Sequence, residues 1–100
     1  MVSNRHPNRL LKSKTHLDRN ELAAFLESIA GRIRAGSLTL GEGTDAVAMN
    51  LPGSFTVEIE VDDTGRSHLK RELELEISWP IAAGGEPVES SGSSSGFAVS

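Results

Sequence analysis

Cysteine is absent from the 100-residue chain. That removes disulfides, thiolate nucleophiles and cysteine-ligated zinc at a stroke. Aromatic residues make up only 4% and apolar residues 37%, below the usual share for a globular domain, so part of the chain is expected to lie outside any core. No apolar run approaches the ~18 residues of a membrane span, and no membrane partner is expected. The N-terminal end is charged and has no apolar stretch, so no secretory signal is expected. The expected address is the cytoplasm. The chain carries a net charge of −4, and nucleic acid is disfavoured as a partner on that ground and for want of surface aromatics.

The charges are not evenly spread. Arg5, Arg9, Lys12 and Lys14 stand in the first sixteen residues with no acid among them. The stretch 17–80 is acidic. Residues 81–100 hold only Glu86 and Glu89, with Gly84-Gly85, Pro87 and a serine- and glycine-rich run over 90–96. Such a composition cannot offset its own ordering entropy, so 81–100 reads as a disordered tail. Residues 1–8 read as a flexible basic N-terminus. One folding domain is expected over 9–80, near the size at which a single core becomes marginal.

The clearest element is a helix. Asp18 and Glu21 have the spacing of a capping box, and Leu17 and Leu22 flank them as a hydrophobic staple. Leu22, Phe25, Leu26, Ile29 and Ile33 follow helical spacing. Arg32 and Arg34 suit the C-terminal dipole, and Gly36 is the natural stop. Gly31 sits inside the helix at a cost of ~1 kcal/mol relative to Ala. A close helix–sheet approach would explain it.

Beyond Gly36 the apolar period changes to two. Leu38 and Leu40 alternate, then Gly41-Glu42-Gly43-Thr44 turns. Val47, Met49 and Leu51 alternate, then Pro52-Gly53 suits a type II turn. Phe55, Val57, Ile59 and Val61 alternate with polar residues. So do Leu69, Leu73, Leu75, Ile77 and Trp79, until Pro80 ends the run. The expected fold is α+β: one amphipathic helix packed on one face of a four-stranded antiparallel β-meander. Parity requires paired positions in the last hairpin to sum to an even number. A three-residue loop at Asp63-Thr64-Gly65, with Gly65 at the left-handed position of a type I turn plus G1 bulge, meets that condition. It opposes Ile59 to Leu69, Phe55 to Leu73, Glu58 to Lys70 and Val57 to Arg71, the one misfit in the apolar register, read as snorkelling over the rim or as a buried functional arginine. The overhang from Leu75 to Trp79 then calls for a neighbour. Residues 9–15 are expected to supply an additional N-terminal edge strand, Lys12 and Lys14 lying beside the acidic column of Glu72, Glu74 and Glu76. The other reading of that segment is a disordered basic arm.

The helix from Leu17 to Gly36, taken with the closing run Leu73-Glu74-Leu75-Glu76-Ile77-Ser78-Trp79-Pro80, resembles the amphi-Trp domain family. Its members are short bacterial and archaeal proteins with an amphipathic acidic strand running into a tryptophan. The likeness covers roughly residues 10–80. The helix portion is generic, and the alternating glutamate strand closing on Trp-Pro is more specific. The resemblance implies a fold and brings no activity with it.

Catalysis is not expected. Histidines 6, 16 and 68 have no metal-ligand spacing. The serines have no nucleophile-elbow context, and Gly41-Glu42-Gly43 is too short to cradle a phosphate. No catalytic residue, metal or cofactor is assigned. The carboxylates Glu58, Glu60, Glu72, Glu74 and Glu76 share the polar sheet face. They serve either as a solvated surface or as a surface for a divalent cation or a basic partner. Trp79 is either core or rim packing or a partner hot spot. The expected role is therefore a small binding or assembly module. It would act through a sheet edge, the acidic face or the Trp79 rim, on an unidentified protein or a second copy. The alternative is weak nucleic-acid binding by the basic N-terminal arm.

Overall fold

The computed structural model describes residues 8–89 and 96–100. The elements in order are helix α1 (Arg19–Ala35), strands β1 (Ser37–Leu40) and β2 (Val47–Asn50), and strands β3 (Thr56–Thr64) and β4 (Lys70–Ser78). A single 3-10 turn, Gly43–Asp45, lies between β1 and β2. The chain is α+β and its strands pair antiparallel, as two two-stranded sheets, β1–β2 and β3–β4. The expected single meander is not formed. The structure divides into two compact units, Met1–Leu51 and Pro52–Ser100, inside what the sequence suggested was one domain over 9–80.

In the first unit the helix begins where its capping residues dictate. The Asp18 carboxylate accepts from the Glu21 backbone N–H at 2.8 Å, and the Glu21 carboxylate accepts from the Asp18 N–H at 2.9 Å. Two donors that the helix cannot satisfy internally are thereby paired. The helix ends at Gly36, whose φ of 91° is left-handed. Its N–H reaches the carbonyls of Arg32 and Ile33 at 3.0 and 3.1 Å. The chain then runs directly into β1, against which α1 packs. In the β1–β2 ladder Leu38 faces Met49 and Leu40 faces Val47. These four side chains, with Ile29 and Ile33 of the helix, are half-buried. The expected close contact at Gly31 is missing: a Cβ built there meets nothing within 4 Å.

Residues 9–15 form no strand, contrary to the edge strand the sequence suggested. The premise fails with the register. All nine residues of β4 pair with the nine of β3, so no overhang is left to fill. Instead the segment runs along the first unit. Leu11, Ser13, Thr15 and Leu17 share a cavity of about 510 Å³ with Phe25 and Leu40.

In the second unit the β3–β4 ladder has longer strands and a later turn than expected. It opposes Val57 to Ile77, Ile59 to Leu75, Val61 to Leu73 and Asp63 to Arg71. The connection is the five residues 65–69, not a three-residue loop at 63–65. Gly65 does take the left-handed conformation, with φ of 101°, and a Cβ there would overlap the His68 carbonyl oxygen. Paired positions still sum to an even number, so the two faces keep their members. What changes is every individual partner. Glu58 opposes Glu76, not Lys70, and Arg71 opposes Asp63, not Val57. The longer ladder turns Arg71 from a misfit among aliphatics into half of an ion pair.

Two further expectations are corrected here. Gly53 is absent from the positive-φ glycines, so Pro52-Gly53 is not a type II turn. Its N–H instead donates to the Glu89 carboxylate at 2.8 Å. And the stretch after Pro80, read as tail, folds back on itself through residue 89. Ile81 bridges to Pro87, Ala82 N–H donates to the Glu86 carbonyl at 2.8 Å, and Val88 N–H donates to the Pro80 carbonyl at 2.9 Å. The expected flexible N-terminus lies, but for residue 8, outside the described residues, as does most of the serine run. Residues 96–100 are exposed and without regular structure.

Candidate association surface on the β3–β4 hairpin

Strict alternation along β3 and β4 sorts their side chains onto two faces. One face carries Val57, Ile59 and Val61 from β3 and Leu73, Leu75 and Ile77 from β4. Among the described residues the second unit has no other helix or strand to cover it. Leu73 is 72%, Val61 61% and Leu75 56% exposed. An isolated two-stranded hairpin is marginal in water, and an apolar face of this kind is normally covered.

The other face is acidic across both strands. Glu58 opposes Glu76, Glu60 opposes Glu74, and Asp62 opposes Glu72. The sequence reading brought Glu58, Glu60, Glu72, Glu74 and Glu76 to one face, and they are there. Asp62 belongs with them and was missed, although its even number placed it on that side. Like charges directly opposite each other destabilise a ladder, so the face holds three unfavourable rows. At the loop end the Thr64 hydroxyl donates to Glu72 at 3.3 Å. Among the described residues no group of three or more His, Asp or Glu side chains is arranged to hold a metal ion.

Each end of the aliphatic face has its own closure. Near the turn, Arg71 grips Asp63 with two parallel bonds, Nε to Oδ1 at 2.6 Å and Nη2 to Oδ2 at 2.9 Å. The guanidinium holds the Asp63 carboxyl below its ordinary value, and Asp63 raises Arg71 in turn. Both side chains are largely exposed, so the pair fixes geometry more than it adds stability. At the far end Trp79 meets Phe55 edge to face, ring centroids 5.6 Å apart at 89°. Both rings are half-buried. Trp79 thus packs on Phe55 and keeps part of its surface open. The hairpin as a whole reads, from turn to rim, as ion pair, aliphatic stripe, aromatic pair.

This acidic-and-aliphatic strand closing on a tryptophan is the feature on which the family likeness rests, and the Amphi-Trp domain pattern matches residues 5–100. The chain belongs to the Amphi-Trp domain family. The match takes in the turn at 80–89 as well as the helix and both hairpins. No curated protein and no solved structure matches the chain significantly.

The cavity of the first unit offers no comparable chemistry. Its one charged lining residue, Glu21, is already engaged in the helix cap. The His68 ring engages its neighbour Ser67, Nδ1 to Oγ at 3.2 Å. Among the described residues no helix is long and apolar enough to cross a membrane.

Proposed function

We propose that this Amphi-Trp chain is a small non-catalytic association module of the cytoplasm, and that its binding element is the β3–β4 hairpin. One observation carries the reading. The hairpin has an aliphatic stripe that its own unit leaves uncovered, bounded by the Asp63–Arg71 pair and the Phe55–Trp79 pair. Apolar area is worth roughly 25 cal/mol per Å² on removal from water. A face of this kind therefore gains most by meeting another surface. The edges of the hairpin, its acidic face and the Trp79 rim surround the stripe and set which partner fits.

Sedimentation velocity across a concentration series tests the proposal. The expected result is concentration-dependent association that is lost when Leu73 and Leu75 are both replaced by Asp. Far-UV circular dichroism should still report the helix. Association unchanged by that double substitution sinks the reading. The nucleic-acid alternative is tested on the same material by a mobility shift with DNA or RNA at low and high salt.

A further inference from the structure

The segment 9–16 has the makings of a strand without a partner. It belongs to no helix or strand, and among the described residues its backbone makes no hydrogen bond to other backbone. From residue 11 on, alternate residues nonetheless share a side: Leu11, Ser13 and Thr15 line an apolar cavity of the first unit and Lys12, Lys14 and His16 do not, although all of them but Leu11 are exposed. A period-two segment with free backbone groups is a template for strand addition. The β3–β4 sheet has the complementary lack. Among the described residues it holds two strands, and neither outer edge has a strand neighbour. Its polar face carries three rows of opposed carboxylates and needs positive charge.

We propose that residues 9–16 of one copy add as an edge strand to the β3–β4 hairpin of a second copy, reciprocally, so that two chains close into a two-fold dimer. The inference rests on the association reading above and names its partner. Two independent patterns agree on it. With Lys12 and Lys14 beside the acidic face, alternation puts Leu11 on the aliphatic side of the hairpin. That is the side on which the segment already meets Phe25 and Leu40 of its own unit. One docking therefore relieves the carboxylate rows and brings the aliphatic stripe of one copy towards the apolar cavity of the other. A second copy is the occupant because each chain carries both halves of the match and, among the described residues, neither half has a strand partner. Reciprocal exchange between identical chains closes after two.

A charge-swap mixture tests this on the full chain. One variant carries Lys12→Glu and Lys14→Glu, the other Glu74→Lys and Glu76→Lys. Each alone sets like charges against each other in both exchanges of a homodimer. The expected result is a dimeric wild type and a loss of roughly tenfold or more in dimer affinity for each variant alone. Mixing the two variants should restore a one-to-one heterodimer, because both of its exchanges pair opposite charges. Three results would overturn the proposal: a wild type that is monomeric at every concentration, variants that dimerise normally alone, or a mixture that stays monomeric. The last would follow if the segment paired within its own chain or with another protein. Variants that dimerise alone yet dissociate on replacing Leu73 and Leu75 by Asp would remove the strand exchange and leave the association reading standing.

Discussion

Glycines show at the residue scale how a local rule and its tertiary reason can part. Gly36 and Gly65 are needed where they stand, with φ of 91° and 101°, because side chains other than glycine rarely adopt that conformation without strain. Gly31 is different. It lies in the interior of α1 with open space around it, so nothing offsets the entropy it costs. Gly31→Ala should stabilise the chain by about 0.5–1 kcal/mol, read as a higher urea midpoint at unchanged slope. A fall in the midpoint would mean that another surface approaches the helix there. Arg71 makes the complementary point. Read against Val57 it had no place in an apolar register. Paired with Asp63 at 2.6 Å it marks the register that forms.

The β3–β4 hairpin joins a favourable face to an unfavourable one. Its aliphatic side suits association, while Glu58–Glu76, Glu60–Glu74 and Asp62–Glu72 repel across the ladder. Repulsion between exposed charges is screened by salt. Stability of the dilute chain should therefore rise from low to moderate ionic strength. Glu74→Gln removes one repulsive row and should add a few tenths of a kcal/mol, up to about 1. Its salt response should be smaller than that of the wild type. Thermal unfolding at several salt concentrations checks both, and a wild type destabilised by added salt would contradict the account. The helix needs no such compensation. Its box at Asp18 and Glu21, its basic last turn and its left-handed Gly36 all act within a few residues of the ends they serve.

For the molecule as a whole, the folded region extends past Pro80. The turn at 80–89 and the bond from Gly53 to Glu89 tie the end of β4 to the chain that leads into β3. A chain ending at Ala83 loses that tie, and one ending at Glu89 keeps it. The shorter chain should melt several degrees below the longer, since ~1 kcal/mol moves the midpoint of a domain this size by roughly 4–8 °C. Equal midpoints would return 81–89 to the status of a tail. The same division explains what could be read in advance. The helix, its caps, the membership of both strand faces and the left-handed Gly65 depend on neighbours close in sequence, and the sequence by itself determined them. The α+β class followed from the change of apolar period at Gly36. The register did not follow, because parity is unchanged when a ladder slides by an even number of residues. Only the pairing of the two strands, with Arg71 on Asp63 eight residues away, distinguishes the permitted registers. That choice removed the overhang, and with it the place expected for residues 9–15. The split into two sheets and the hold of Glu89 on Gly53, thirty-six residues apart, were likewise decided by the tertiary structure. A hydrogen bond at that separation leaves no periodic trace in the sequence, and a strand carries no mark of which edge it will meet.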